Sequence, residues 1–240
     1  MKRKMLVIVA MIAMIFSLSV VSAKEVEVND AATLLAAFKN AESGDVVKLI
    51  DNITYTLPER VLVSTDVTLN MNNHNIDFDG ASVRSFTVQD GSLNIIGKGT
   101  ISHPEHNALN VRGTTDKTKV NYSTLKVGKD VTVNGLYGIA VFYDPENKKI
   151  GYGVNVEFAG KIESTEGGIT INGTLQNAEG APVINILDGA VINSEKTGLY
   201  AAGNGTWNIG NANITGKESA MAIKAGKVNI NGGTFTCTGE

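Results

Sequence analysis

The chain has 240 residues, 42% of them hydrophobic and 6% aromatic, with a formal charge of −3. Such a mildly acidic balance gives no electrostatic reason to hold nucleic acid, and Cys237, the single cysteine, excludes an intrachain disulfide. Stability must come from an apolar core, aliphatic and narrow given so few rings, and the 26 glycines suit a fold made largely of turns.

Lys2, Arg3 and Lys4 precede a mostly apolar stretch from Met5 to Val21, and Val21-Ser22-Ala23 offers a small-residue cleavage site. Residues 1–23 therefore read as a signal peptide. An uncleaved anchor is the alternative, and the cleavage site favours removal. No cysteine follows the apolar run, so a lipoprotein anchor is not indicated. Losing three cations takes the formal charge from −3 to −6. The expected location is secreted or cell-surface, with membrane contact only through the leader.

Residues 24–45 form the next unit. Lys24 to Val28 carries Val26 and Val28 in strand alternation. Asn29 or Asp30 can cap a helix running to about Ala41, with Leu34, Leu35 and Phe38 on one face and Gly44 placed to end it. One amphipathic helix ahead of a repeat array has a structural role, covering the open end of the core.

From residue 46 to 240 the chain repeats. An apolar–polar–apolar triad recurs as Val47-Lys48-Leu49, Leu69-Asn70-Met71, Leu93-Asn94-Ile95, Leu125-Lys126-Val127, Val154-Asn155-Val156, Ile184-Asn185-Ile186, Trp207-Asn208-Ile209 and Val228-Asn229-Ile230. Alternation within each copy marks a strand with one buried face, and a period of twenty-odd residues without intervening helices marks a solenoid. Each repeat holds a second strand, such as Ile76-Asp77-Phe78 or Val131-Thr132-Val133, and a third, such as Phe86-Thr87-Val88 or Ile169-Thr170-Ile171. Turn formers separate them, among them Asp90-Gly91, Asn134-Gly135, Asp188-Gly189 and Gly232-Gly233. Three short strands per turn give an all-β parallel β-helix of about eight rungs. The last rung stops after its second strand, so we expect further C-terminal domains or a covering chain.

These residues resemble the right-handed parallel β-helix superfamily, often called pectate-lyase-like. The opening Asn29-Asp30-Ala31-Ala32 through Gly44-Asp45-Val46-Val47-Lys48-Leu49 is similar to the N-terminus of many exported members. The resemblance implies a right-handed coil with an N-terminal capping helix. Members include polysaccharide lyases, glycosidases and repeat-bearing bacterial surface proteins without known catalysis, so fold alone does not choose among them.

Stacking turns sequence columns into surface ladders. Matching the triads aligns Lys48, Asn70, Asn94, Lys126, Asn155, Asn185, Asn208 and Asn229 outward on the first strands. Leu62, Thr87, Asn110, Ala140, Thr170, Tyr200 and Ala222 align on the third. Neither column holds a carboxylate; the second-strand column offers Asp77, flanked by Thr54 and Thr100. A lyase of the superfamily uses several acidic residues from neighbouring rungs to hold Ca²⁺, plus an Arg or Lys base, and a glycosidase needs two carboxyls at a set distance. The ladders supply neither, so no catalytic residue, metal or cofactor is assigned. The residual cluster Asp77, Asp79, Asp90, Lys98, His103, Glu105, His106 and Arg112, with both histidines in a turn around Pro104, reads as solvated turn residues rather than a metal site.

Asn70, Asn94, Asn155, Asn185, Asn208 and Asn229 are expected to hydrogen-bond along the axis as a structural ladder, and to form a flat polar contact surface second. Longer connections, at about 112–123, 142–152 and 172–182, leave consecutive rungs at one edge. They carry Tyr122, Tyr143 and Tyr152 with Asp144, Glu146, Lys148, Gln176 and Asn177. Aromatic faces beside amides and carboxylates suit a polysaccharide or surface glycan; tolerated surface insertion is the competing explanation. The sequence thus points to an exported structural stalk or adhesin-like module, with a polysaccharide lyase or other carbohydrate-active enzyme as the alternative.

Overall fold

The computed structural model describes residues 23–78, 80–81, 84–113, 123–142, 153–172 and 181–239. The chain opens with β1 (Glu25–Val28) and α1 (Ala31–Lys39), then coil one: β2 (Val46–Leu49), β3 (Ile53–Thr54) and β4 (Leu62–Val63). Coil two holds β5 (Asp66–Asn70), β6 (Ile76–Asp77) and β7 (Phe86–Gln89); coil three, β8 (Ser92–Ile96) and β9 (Gly99–Arg112). Coil four holds β10 (Ser123–Val127) and β11 (Val131–Phe142); coil five, β12 (Val154–Phe158) and β13 (Lys161–Ile171). Coil six is β14 (Val183–Ile186), β15 (Val191–Ser194) and β16 (Thr197–Ala201); coil seven, β17 (Thr206–Ile209), β18 (Asn213–Gly216) and β19 (Ser219–Ile223). The eighth holds β20 (Lys227–Ile230) and β21 (Thr234–Cys237).

Every pairing is parallel and joins successive coils. The first strands and β1 stack as a nine-stranded sheet, and the second and third strands share a twelve-stranded one. This is a parallel β-helix with one N-terminal helix. In the middle coils the second and third strands merge into the continuous β9, β11 and β13, and the register shifts between Gly135 and Tyr137. Asn134-Gly135 is therefore a bulge inside a strand and not the turn its composition suggests. A bulge bends a strand without breaking its ladder, which is how one strand serves two sides of the coil.

The core is built from inward columns. Ile53, Ile76, Ile101, Val133, Ile162, Ile192, Ile214 and Phe235 follow one another along the second strands. Val67, Leu93, Leu125, Val156, Ile184, Trp207 and Val228 do so along the first. The isoleucines of the second-strand column are buried to within 2%. Burying each such side chain contributes about 1.5–3 kcal/mol, and β-branched chains stack well on a pleated face. In the last coil these columns open to solvent: Val228 and Phe235 are only partly buried, and Ile230, next inward on β20, is 56% exposed.

Asp30 caps α1 by accepting from the Thr33 backbone N–H at 2.7 Å, and the Thr33 hydroxyl in turn accepts from the Asp30 N–H at 3.2 Å. Leu34 and Phe38 are buried, and Phe38 meets Phe86 edge-on at 5.3 Å. The helix thus closes the N-terminal end of the stack. It ends at Asn40, whose N–H and side-chain amide both donate to Ala36 O. Gly44, with φ of +95°, belongs to the turn before β2 and does not terminate the helix. Among the described residues no helix is long and apolar enough to cross a membrane.

A column of small residues sits where the second side of the coil bends into the third. A Cβ on Gly138 would lie 2.7 Å from Gly168 O, one on Gly168 would overlap Gly198 O and Ile192 Cγ2, and one on Gly198 would lie 2.5 Å from Ala220 O. The coils approach too closely there for any side chain. Gly168→Ala is therefore expected to cost about 2–4 kcal/mol, whereas Gly232→Ala, whose Cβ meets nothing nearer than 3.5 Å, costs about 1 kcal/mol or less. Urea unfolding of the two variants checks this, and equal losses would count against the close approach.

Candidate functional site: an amide ladder and two outer grooves

Strand pairing sets which outward side chains are neighbours, and it departs from the triad alignment between β5 and β8 and on both sides of β12. Asn70 pairs with Ile96, so Asn94 stands beside Thr68. Lys126 pairs with Glu157 and not Asn155, and Glu157 leads on to Asn185, Asn208 and Asn229. Each departure is a slip of two residues. Such a slip keeps every apolar residue inside, so hydrophobic alternation is blind to it. The five-residue strands β5 and β12 offer two equivalent registers, and backbone pairing selects one.

Two corrections follow. The outer column of the first strands does contain a carboxylate: Glu157 Oε1 lies 3.1 Å from Lys126 Nζ. The asparagine ladder also spans fewer coils than six. Asn229 Nδ2 donates to Asn208 Oδ1 at 2.8 Å, Asn208 Nδ2 to Asn185 Oδ1 at 2.9 Å, and Asn185 Nδ2 diagonally to Asn155 Oδ1 at 3.3 Å. Asn70 instead accepts from the Asn72 N–H inside its own turn, at 3.0 Å. Asn94 lies between Thr68 and Lys126. Because every amide donates in the same direction, each interior asparagine keeps one N–H and one lone pair for the outside. Asn185 and Asn208 line a shallow groove of about 740 Å³ together with Lys129, Leu187, Asp188 and Asn231.

The second outer column runs Thr54, Asp77, Ser102, Asn134, Glu163, Asn193, Thr215 and Thr236. Asp77 is thus flanked by Thr54 and Ser102, not by Thr100; matching Ile76 to Ile101 again moves the outward partner by two. The Ser102 hydroxyl donates to Asp77 Oδ1 at 2.7 Å. Glu163 Oε1 accepts from Asn193 Nδ2 at 3.2 Å and lies 2.6 Å from Lys161 Nζ. Lys217 pairs with Glu195. A groove of about 320 Å³ follows this column, lined by Asp77, Ser102, Asn134, Glu163, Thr165 and Glu195 among others. Asp77 and Glu163 are three rungs apart, or about 14 Å of axial rise, well beyond the ~5–9.5 Å that glycosidase carboxyls span. Triad matching missed Ser102, Asn134 and Glu163; reading outward positions from the isoleucine column would have found them.

The third-strand column agrees residue for residue with the sequence alignment, but its exposure does not. Thr87, Asn110, Ala140 and Thr170 are at most 1% exposed, so this outer face is interior in the middle coils. Asn110 is satisfied there, donating to Phe86 O and accepting from Asn107 Nδ2, each at 3.0 Å. Alternation identifies the side facing the coil axis and says nothing of whether the other side is covered. At the end of this column Tyr200 is half-buried, with Lys224 Nζ 5.1 Å from its ring centroid.

His103 is likewise not a solvated turn residue. It lies within β9, fully buried, stacked on Phe78 at 5.7 Å and edge-on to His106 at 4.9 Å. Among the described residues no group of three or more His, Cys, Asp or Glu side chains is placed to hold a metal ion. Tyr122, Tyr143, Asp144, Glu146, Lys148, Tyr152, Gln176 and Asn177, the looped edge, lie outside the described residues, as does Asp79.

The ladder yields a graded expectation. Asn208→Ala removes two axial amide bonds and Asn229→Ala one, so at about 0.5–1.5 kcal/mol per bond the first should lose roughly twice the stability of the second in urea titrations. Equal losses would show that the amides do not act as a chain.

No family model matches the chain, and no curated protein or solved structure matches it.

Proposed function

We propose that this chain is the rigid shaft of an exported cell-surface protein, a structural stalk or adhesin-like module. The observation that carries this reading is the continuity of the stack. One nine-stranded parallel sheet runs from β1 to β20, and its outer face is cross-tied along the axis by amides and by Lys48 with Glu25 and Glu27. Eight rungs at ~4.8 Å make a rod of about 40 Å. The leader-like residues 1–23 support export. Brief protease treatment of intact cells should remove the protein from the surface fraction, and full protection would overturn the surface location.

A second reading, contact with a glycan, is favoured by the groove along Asp77, Ser102, Asn134 and Glu163. Hydroxyl, amide and carboxylate groups at rung spacing suit the hydroxyls of a sugar chain laid along the axis. The tyrosines of the looped edge extend the same reading, and a polysaccharide lyase of the pectate-lyase-like kind is its enzymatic version. A glycan array followed by titration tests it: Glu163→Gln should weaken binding roughly tenfold or less, by about 1.4 kcal/mol at most, and absence of any bound glycan would leave the shaft alone. Lyase action would be seen directly as an unsaturated, ultraviolet-absorbing product from uronate polymers.

A further inference from the structure

Asp45 is the one buried carboxylate among the described residues, 6% exposed, and it sits in the turn ahead of β2. Its Oδ2 accepts the Glu42 N–H at 3.0 Å. Its Oδ1 accepts the backbone N–H of Lys24, also at 3.0 Å. Two backbone donors hold its carboxyl below the usual carboxylate range, Glu42 contributing more than Lys24. The Lys24 nitrogen is also the atom released by cleavage at Val21-Ser22-Ala23. Ala23 and Lys24 are exposed, and β1 begins only at Glu25.

We propose that Asp45 is the receptor for the mature N-terminus: leader removal between Ala23 and Lys24 creates an α-ammonium already seated against the Asp45 carboxylate. This rests on the export reading above. In the covalent step a leader peptidase adds water across the Ala23–Lys24 amide. The C–N bond breaks, oxygen stays with Ala23 as a carboxylate, and the Lys24 nitrogen leaves as an amine that takes a proton. A neutral N–H···O⁻ contact becomes a charged N⁺–H···O⁻ pair at the same place, the stronger class of hydrogen bond. The surrounding charges favour the cation. Glu25 and Glu27 follow it on β1, and Glu42 and Asp66 flank the Asp45 turn, where Gly44 N–H donates to Asp66 O. Lys48 is held at about 3 Å by Glu25 and Glu27. The Lys24 side chain is a further cation acting on Asp45.

The ties around this pair lead straight into the first two rungs. Val46 N–H donates to Lys24 O at 2.8 Å and Thr68 N–H to Asp45 O at 2.9 Å. Processing would therefore tighten the N-terminal end of the stack, leaving the precursor the looser form. The pH window follows from both partners. An α-amine with a carboxylate partner has its pKa raised above the ordinary ~7.7–8.0, so its contribution is complete below that range and is lost as pH rises through the folded value. Asp45, depressed, contributes above the ordinary carboxylate range, and its share is lost as pH falls through its folded value.

The experiment compares two preparations of the chain beginning at Lys24, one with a free α-amine and one Nα-acetylated, by thermal unfolding across pH. The free-amine form should melt roughly 2–6 °C higher at about pH 7, the gap should close by about pH 10, and Asp45→Asn should abolish it. Equal melting at neutral pH, a gap that persists in strong alkali, or a gap that survives Asp45→Asn would each overturn the ion pair. N-terminal sequencing of the exported protein separates the two layers: a first residue other than Lys24 overturns the processing step while leaving the measured gap to speak for Asp45.

Discussion

Parallel strands stacked at a fixed ~4.8 Å rise are the constraint on which everything else in this molecule depends. Each backbone N–H and C=O of an interior strand is satisfied by the coil before and the coil after, so a coil has its partners only as a member of the stack. The same rise fixes what side chains can do. Inside, isoleucine follows isoleucine from β3 to β18, with Val133 taking the β11 rung, because a β-branched chain fills one rung's thickness against its neighbour. Outside, amide follows amide because an asparagine can reach one rung and no further. At the corner where β11, β13 and β16 turn, the backbones come so close that Gly138, Gly168 and Gly198 leave no volume for a methyl group.

The first and the last of the described coils differ physically. At the N-terminus α1 lays Leu34 and Phe38 over the first rungs, and the Asp45 turn ties Lys24 to coil one. In the last two described coils the inward columns are partly exposed at Met221, Val228 and Phe235. Ion pairs with glutamate recur along the surface between them. Lys39, Lys48, Lys126, Lys161, Lys196 and Lys217 each meet a glutamate. Exposed pairs of this sort add little stability, about 0–1 kcal/mol each.

The grooves illustrate why a regular scaffold does not make a catalytic centre by itself. Chemistry on a sugar chain needs two groups converging on one bond, whereas a ladder spreads equivalent groups along an axis. Asp77 is bonded to Ser102 and Glu163 to Asn193 and Lys161, so each carboxylate is occupied within its own neighbourhood.

The amino-acid order by itself determined the architecture. Alternation with period two marks strands with one buried face, and its repetition every twenty-odd residues, broken by glycine and asparagine turns, marks stacked coils. It also determined the capping helix, because Asp30 and Thr33 close a capping box ahead of Leu34 and Phe38. Register was decided only by the tertiary structure. A two-residue slip between β5 and β8, or between β10 and β12, keeps every apolar side chain inside, so nothing in the pattern distinguishes Asn94 beside Asn70 from Asn94 beside Thr68. Coverage was decided there too. Thr87, Asn110 and Thr170 have the alternation of an outer face and are nonetheless buried, and His103 beside a proline is core. Burial on the far side of a strand depends on what else folds over it, and a local period carries no record of that.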